Sequence, residues 1–376
     1  MINNVFKKIA KSIMNLIPLH NVIVFESCPD YSDNTKAVFD EFVKKGINKK
    51  YKMIWFVDGK ERFFDKQKNI KSIQFKSFKA NFYRYVAKCI ICCNRFVFTE
   101  KKKQFRMYLG HGNPLKNTKG YYEIPKEFDY ILTSSEGMRS LRNSFYGISL
   151  DRMFSLGYPR NDILTQKPIN IKQLFISDFK KIIVWYPTVR QFKNGNQTGS
   201  SHALPVVWDE RKAIELNNCA NENGVLIVLK PHFAQDLSFL KTICLSNIVF
   251  IDDSFFIKNN ITSYQFVGSC DAMLTDFSSI YYDYTLCDKP IGLIWEDYDE
   301  YKNNPGFAVD MGFMMKGGVK IYNLNDLKKF VVDVAGDIDV LKNERREIRD
   351  FANCATDGNN TKRVCDFIAE KAHLKT

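Results

Sequence analysis

The chain has 376 residues, 45% of them hydrophobic, and carries a formal net charge of +13. That length allows one large domain or two ordinary ones, and the apolar fraction excludes wholesale disorder. The basic balance suits an anionic partner, but no zinc finger or aromatic–basic ribonucleoprotein motif accompanies it, which speaks against nucleic acid.

No apolar stretch approaches the ~20 residues of a membrane-spanning helix. Lys7, Lys8 and Lys11 interrupt the apolar core that a secretory signal requires. Ile2, Phe6, Ile9, Ile13 and Leu16 instead recur at steps of four and three, which puts them on one helical face. Two readings stay open: an ordinary surface helix, or a basic amphipathic helix lying on an anionic leaflet. In the second, each lysine contributes on the order of 1 kcal/mol, and the net charge favours it.

Strands are predicted at 22–25, 52–57, 73–75, 90–93, 105–109, 130–133 and 153–156, with a helix over 36–45 and another from Glu136, capped by serine. After the turn-rich GYPRND at 157–162, a second series runs through 182–186, 225–229, 248–251, 272–274 and 291–295. Its helices are predicted at 208–219, 278–286, 324–334 and 342–351. Strands alternating with helices predict parallel sheets. The fold class is therefore α/β, two Rossmann-like domains with a cleft between them. The boundaries expected are 1–161, with a C-terminal helix in 352–376 returning to that domain, and 162–351. The ten cysteines lie mostly within apolar stretches and read as buried thiols of a reducing compartment, without disulfides or structural zinc.

Three strand ends carry the chemistry. His111 follows the run 105–109, Lys230 and His232 follow 225–229, and Thr275, Asp276, Ser278 and Ser279 follow 272–274. Loops leaving the carboxyl ends of parallel strands are where open α/β sheets bind ligands. This inventory suits an anionic substrate handled by acid–base chemistry, hence an enzyme. His20, His202 and His373 lack that context and read as structural or exposed. Asp297 and Asp299 have the spacing of a metal–nucleotide bridge, but within DYDEYKNN they read as a solvated acidic loop, so no metal is expected.

Taken in order, HGNPLK (111–116), GYPRND (157–162), YPT (186–188), KPH (230–232), TDFSSIYYDY (275–284), KPI (289–291) and DGNNTKRV (357–364) resemble the CDP-glycerol glycerophosphotransferase family of teichoic-acid primases and polymerases. Departures are Val189 after YPT, where tryptophan is common, DGNNTKR in place of DGxASER, and a region around Gly306 and Phe307 without the usual glutamate- and tyrosine-rich segment. The resemblance implies a glycosyltransferase-B-like fold, no catalytic metal and no cofactor. It implies a CDP-glycerol or related CDP-polyol donor, a lipid-linked glycan or growing polymer as acceptor, and release of CMP at the cytoplasmic face of a membrane. A nucleotide-sugar transferase of the same fold is the nearest alternative, and a non-catalytic binder of anionic lipid or polymer the next.

Within that resemblance His111 is the candidate general base, because imidazole titrates near neutrality, and Gly112 allows close approach. His232 holds the pyrophosphate or protonates the leaving group, with Lys230 as a point charge beside it. Ser278 and Ser279, with Thr275, offer hydroxyls and helix N–H groups to phosphate, and Thr188 adds another hydroxyl. Asp276 orients a histidine or binds a hydroxyl. Lys116 and Arg160 are the cationic candidates, Arg160 with the alternative of tying its loop to Asp162. Asp283 reads as a helix-surface or packing residue.

Overall fold

In a computed structural model the described residues are 14, 16–59, 68–120, 123–176, 178–188, 190, 202–231, 235, 237, 240 and 243–375. The chain divides into two compact units. One comprises 1–111, 122–162 and 357–376; the other comprises 112–121 and 163–356.

The first unit is a seven-stranded parallel sheet. Its strands are β1 (His20–Glu26), β2 (Lys52–Val57), β3 (Ile70–Gln74), β4 (Ala87–Cys92), β5 (Phe105–Tyr108), β6 (Tyr130–Thr133) and β7 (Met153–Ser155), in the order β3-β2-β1-β4-β5-β6-β7. The apolar runs read as strands because both faces are covered, as parallel sheets require. Along β1 the side chains alternate: Ile23 and Phe25 join Phe39, Phe42 and Trp55 on one face. Val22 and Val24 join Ile54, Phe56 and Ile90 on the other. Each fully buried side chain of this size contributes roughly 1.5–3 kcal/mol.

Three helices connect these strands: α1 (Asp33–Lys44), α2 (Phe78–Val86) and α3 (Glu136–Tyr146). The α3 start is the predicted one, with the Ser135 hydroxyl accepting from the Met138 N–H. Helix α2 escaped the sequence reading. Its Phe78 and Phe82 face solvent and only Ala80 and Val86 are buried, so it lacks a clean apolar stripe.

The second unit is a six-stranded parallel sheet of β8 (Lys181–Trp185), β9 (Val225–Leu229), β10 (Ile248–Phe250), β11 (Ala272–Thr275), β12 (Ile291–Ile294) and β13 (Val319–Ile321), in the order β10-β9-β8-β11-β12-β13. Strand β13 is three residues after a Gly317–Gly318 pair, too short to carry a pattern. The helices are α4 (Glu210–Glu222), α5 (Asp253–Lys258), α6 (Ser263–Ser269), α7 (Ile280–Tyr284), α8 (Tyr298–Asn303), α9 (Met311–Met314), α10 (Leu324–Ala335) and α11 (Lys342–Ala352). Helices α5, α6, α8 and α9 were missed, each of four to seven residues. The DYDEYKNN stretch is thus largely helix, not an open acidic loop.

Helix α12 (Asn360–Lys371) belongs to the first unit and packs Val364, Cys365 and Ile368 into its core. It begins well after residue 352 because DGNN forms a turn. Asp162 caps it from afar, accepting from the N–H groups of Asn360 (2.8 Å) and Thr361 (2.7 Å). Gly157 has φ +80° and abuts Asn360, where any side chain would collide. Six cysteines are buried, as the apolar stretches around most of them suggest, and Cys28, Cys244 and Cys354 are exposed.

The predicted amphipathic face falls largely outside the described residues: of Ile2, Phe6, Ile9, Ile13 and Leu16, only Leu16 is described, and it is exposed. Among the described residues no helix is long and apolar enough to cross a membrane.

Candidate active site

In the first unit, strand β5 ends at Tyr108 and Gly110 turns the chain through φ +67° into His111. Buried Asn34 fixes this turn: its Nδ2 donates to the Gly110 carbonyl at 2.8 Å, and its Oδ1 accepts from the Arg160 N–H at 3.1 Å. The Arg160 guanidinium donates to Asp33 (2.8 Å) and to the His111 carbonyl (2.9 Å). Arg160 is therefore the brace of the His111 loop. The Asp162 carboxylate of the same loop caps α12.

The His111 side chain is exposed, and its Nδ1 lies 3.3 Å from the Cys93 carbonyl and 3.5 Å from the Tyr108 hydroxyl. Loss of hydration among its neighbours lowers its pKa below the ordinary 6.5. Asp33 and the Cys93 carbonyl oppose that shift, while Arg160 and Arg142 add to it. The ring is accordingly neutral at pH 7 and able to accept a proton.

The second cluster lies in the second unit, at the ends of β8, β11 and β12. The segment 112–121 belongs to this unit. Leu115 accepts from the Ala308 N–H at 2.8 Å, the Asn117 N–H donates to Gly306 at 3.0 Å, and Lys116 forms an antiparallel bridge with Phe307. Gly112 packs so closely on the Ser279 side chain that a Cβ would sit 2.4 Å from its hydroxyl oxygen. That is a packing reason for glycine, where substrate approach had been expected.

At the centre is Arg190, fully buried. Its Nε donates to Asp297 at 2.5 Å and its NH1 lies 3.1 Å from Asp276. The guanidinium sits 5.1 Å from the Phe277 ring centre and 5.0 Å from that of Tyr301. Burial disfavours its charge, but Asp276 and Asp297 outweigh burial and hold its pKa above the ordinary value. Lys116, beside the same group, is pushed down to about 8 by burial, with Asp276 opposing and Arg190 adding to the fall.

Several expectations change here. Asp276 orients no histidine among the described residues: it accepts from the Thr188 N–H (2.8 Å) and hydroxyl (2.5 Å) and pairs with Arg190. The Thr188 hydroxyl is thus engaged within the protein. So is that of buried Thr275, which donates to the Tyr186 carbonyl at 2.9 Å. Asp297 is a buried partner of Arg190, not a solvated loop residue, whereas Asp299 is exposed. Asp283 is buried and accepts from Tyr264 at 2.6 Å. Ser278 and Ser279 precede α7, which runs five residues before tightening at 285–287, so little helix dipole stands behind them. Lys230 leaves β9 and pairs with Asp253 at 3.0 Å. His232 and Val189 lie outside the described residues. Among the described residues, no group of three or more His, Cys, Asp or Glu side chains is placed to hold a metal ion.

Sequence reasoning missed Asp33, Asn34, Arg142, Arg190 and the buried Glu26. One signal was available: Glu26 closes the run VIVFE at a strand end, as His111 follows 105–109.

Over residues 10–370 the sequence matches the family described as CDP-Glycerol:Poly(glycerophosphate) glycerophosphotransferase. It is similar to the teichoic acid glycerol-phosphate transferase of Staphylococcus aureus (strain NCTC 8325 / PS 47), at 26% identity over 98% of this chain and 100% of that relative. It is also similar to the teichoic acid poly(glycerol phosphate) polymerase of Bacillus spizizenii (strain ATCC 23059 / NRRL B-14472 / W23), at 23% identity over 79% of this chain and 80% of that one. In fold it resembles the wall teichoic acid polymerase TagF, with a TM-score of 0.72 at 21% identity, covering 96% of this chain and 93% of TagF. Two parallel-sheet α/β domains of the glycosyltransferase-B-like class, His111 at a strand end, and a match that spans almost every residue place the chain among the enzymes of the CDP-glycerol:poly(glycerophosphate) glycerophosphotransferase family.

Proposed function

We propose that this enzyme transfers glycerol phosphate, or a related polyol phosphate, from a CDP-polyol to a lipid-linked glycan or growing polymer in teichoic acid or capsule-type synthesis. The acceptor hydroxyl attacks the phosphorus that bears the polyol, the bond to the bridging oxygen breaks, and CMP leaves. His111 takes the acceptor's proton, a step that contributes roughly 10²–10⁴-fold when the base is positioned. The observation that carries this reading is the site of His111: a strand-end imidazole kept neutral at pH 7, exposed, and braced by Asn34 and Arg160.

Lys230 and His232 at the end of β9, with Ser278 and Ser279 before α7, are the groups assigned to the donor's phosphates. Lys116 is a further cation on that side. Thr188, Thr275 and Asp276 frame this region through their own hydrogen bonds. The first unit is assigned to the acceptor and the membrane, the second to the nucleotide. The enzyme acts as a peripheral protein on the cytoplasmic face, with the basic residues 7–11 drawn to anionic lipid.

The test is nucleotide release by the purified protein with CDP-glycerol, CDP-ribitol and UDP-sugars, each supplied with a lipid-linked disaccharide acceptor. CMP formed from a CDP-polyol is the expected product. UDP formed instead would move the chain to sugar transfer.

A further inference from the structure

Strand β1 ends in a carboxylate with no exposed surface. Glu26 is the last residue of β1, which lies between β2 and β4 in the sheet. The ladder between β1 and β4 closes with the Cys93 N–H on the Glu26 carbonyl at 3.3 Å, and there the chain leaves the sheet. The next two N–H groups would be unpaired. The Glu26 side chain takes both: its Oε2 accepts from Asn94 at 3.3 Å and from Arg95 at 3.0 Å. The turn is held further by Asn94, which accepts from the Cys28 N–H at 2.9 Å, and by Arg95, which pairs with Asp58 at 2.8 Å.

The carbonyl that precedes these two N–H groups is that of Cys93, and it faces His111 Nδ1 at 3.3 Å. A carbonyl only accepts, so this contact is a hydrogen bond when the neutral ring carries its proton on Nδ1, which makes Nε2 the basic atom. We propose that Glu26 is a positioning residue for the transfer, fixing the Cys93 carbonyl so that His111 is held in the tautomer whose Nε2 accepts the acceptor's proton. The inference rests on the reading of His111 as base.

Two further features agree with this role. Burial pushes the Glu26 carboxyl up to about 7, against the backbone N–H groups and Arg95, which pull it down. An amide keeps the length and the accepting oxygen of this side chain, so glutamine there can hold the same two N–H groups. Among the described residues of the first unit, Asp33, Arg160 and Arg142 act on the charge of His111, and the Tyr108 hydroxyl stands 3.5 Å from Nδ1. A hydroxyl donating there would select the opposite tautomer, so the two contacts make opposed predictions.

The experiment compares wild type, Glu26→Ala, Glu26→Gln and His111→Ala by CMP release from CDP-glycerol across pH, alongside ¹⁵N NMR of the histidine ring. In wild type the neutral His111 ring should carry its proton on Nδ1. Glu26→Ala should lower kcat by about 10- to 100-fold, with KM changed by less than about twofold. The acid limb of its kcat profile should move to lower pH, because an imidazolium without the carbonyl is less stabilised. Glu26→Gln, whose amide oxygen can accept the same two N–H groups, should restore most of the rate and the tautomer. A wild-type ring protonated on Nε2 would overturn the inference. So would a Glu26→Ala enzyme whose limb and tautomer are unmoved and whose rate falls only with its folded fraction. Normal turnover by His111→Ala would instead remove His111 as the base, and the tautomer measurement would still decide what Glu26 does to the ring.

Discussion

The two charged clusters at strand ends differ in what they do with their charge. Around His111 the charges are uneven: Asp33 faces Arg160 and Arg142, and the imidazole is neutral and exposed. Around Arg190 they close on themselves, two cations (Arg190, Lys116) against two carboxylates (Asp276, Asp297), with aromatic rings over the guanidinium. The first arrangement leaves an exposed neutral imidazole; the second ties the ends of three strands together. Charged residues at the strand ends of the two parallel sheets are thus arranged differently, unevenly around an exposed imidazole in one unit and in a closed network in the other.

The sharpest way to break this contrast is to remove Arg190. Arg190→Met takes the guanidinium away from the buried Asp276 and Asp297 carboxylates and should cost about 3–5 kcal/mol in denaturant unfolding. Adding Asp276→Asn and Asp297→Asn should recover much of the loss, since the three act as a unit. A single-variant loss below about 1 kcal/mol, typical of an exposed pair, would mean the cluster is not the closed network described.

Lys116 tests the same cluster by titration. Its folded pKa of about 8 lies below the ordinary 10.5. Between those values the unfolded chain holds a proton that the folded chain lacks, so stability rises with pH across that window. Wild type should therefore gain on Lys116→Met from pH 8 to 10, by at most about 1.4 kcal/mol per unit. Parallel stability curves for the two proteins would place Lys116 in solvent.

The smallest effect belongs to the first unit's architecture. Asp162→Ala removes the borrowed cap of α12 and should cost about 1 kcal/mol while leaving kcat per folded molecule unchanged. A selective loss of kcat would make Asp162 part of the chemistry, against its place on the Asn360 and Thr361 N–H groups.

Most strands were legible because both faces of each sheet are covered and the sequence must be apolar throughout, as in VLIVL of β9. His111 was legible because it follows such a run. Arg190 was not: it follows no apolar run directly, and its partner Asp297 lies 107 residues away. Asp297 misled for the same reason, since a buried carboxylate next to exposed Asp299 looks like one acidic loop. Asp33 and Asn34 lie between the expected strand at 22–25 and the expected helix over 36–45, and their contacts to Arg160 cross more than 120 residues. A candidate residue at a strand end is local in sequence; the bracing around it is not.

Whether His111 is the base of the transfer is decided by CMP release from the His111→Ala enzyme with CDP-glycerol and acceptor. Turnover should fall by about 10²–10⁴-fold, with donor affinity and the unfolding transition unchanged. Turnover near that of wild type would contradict it.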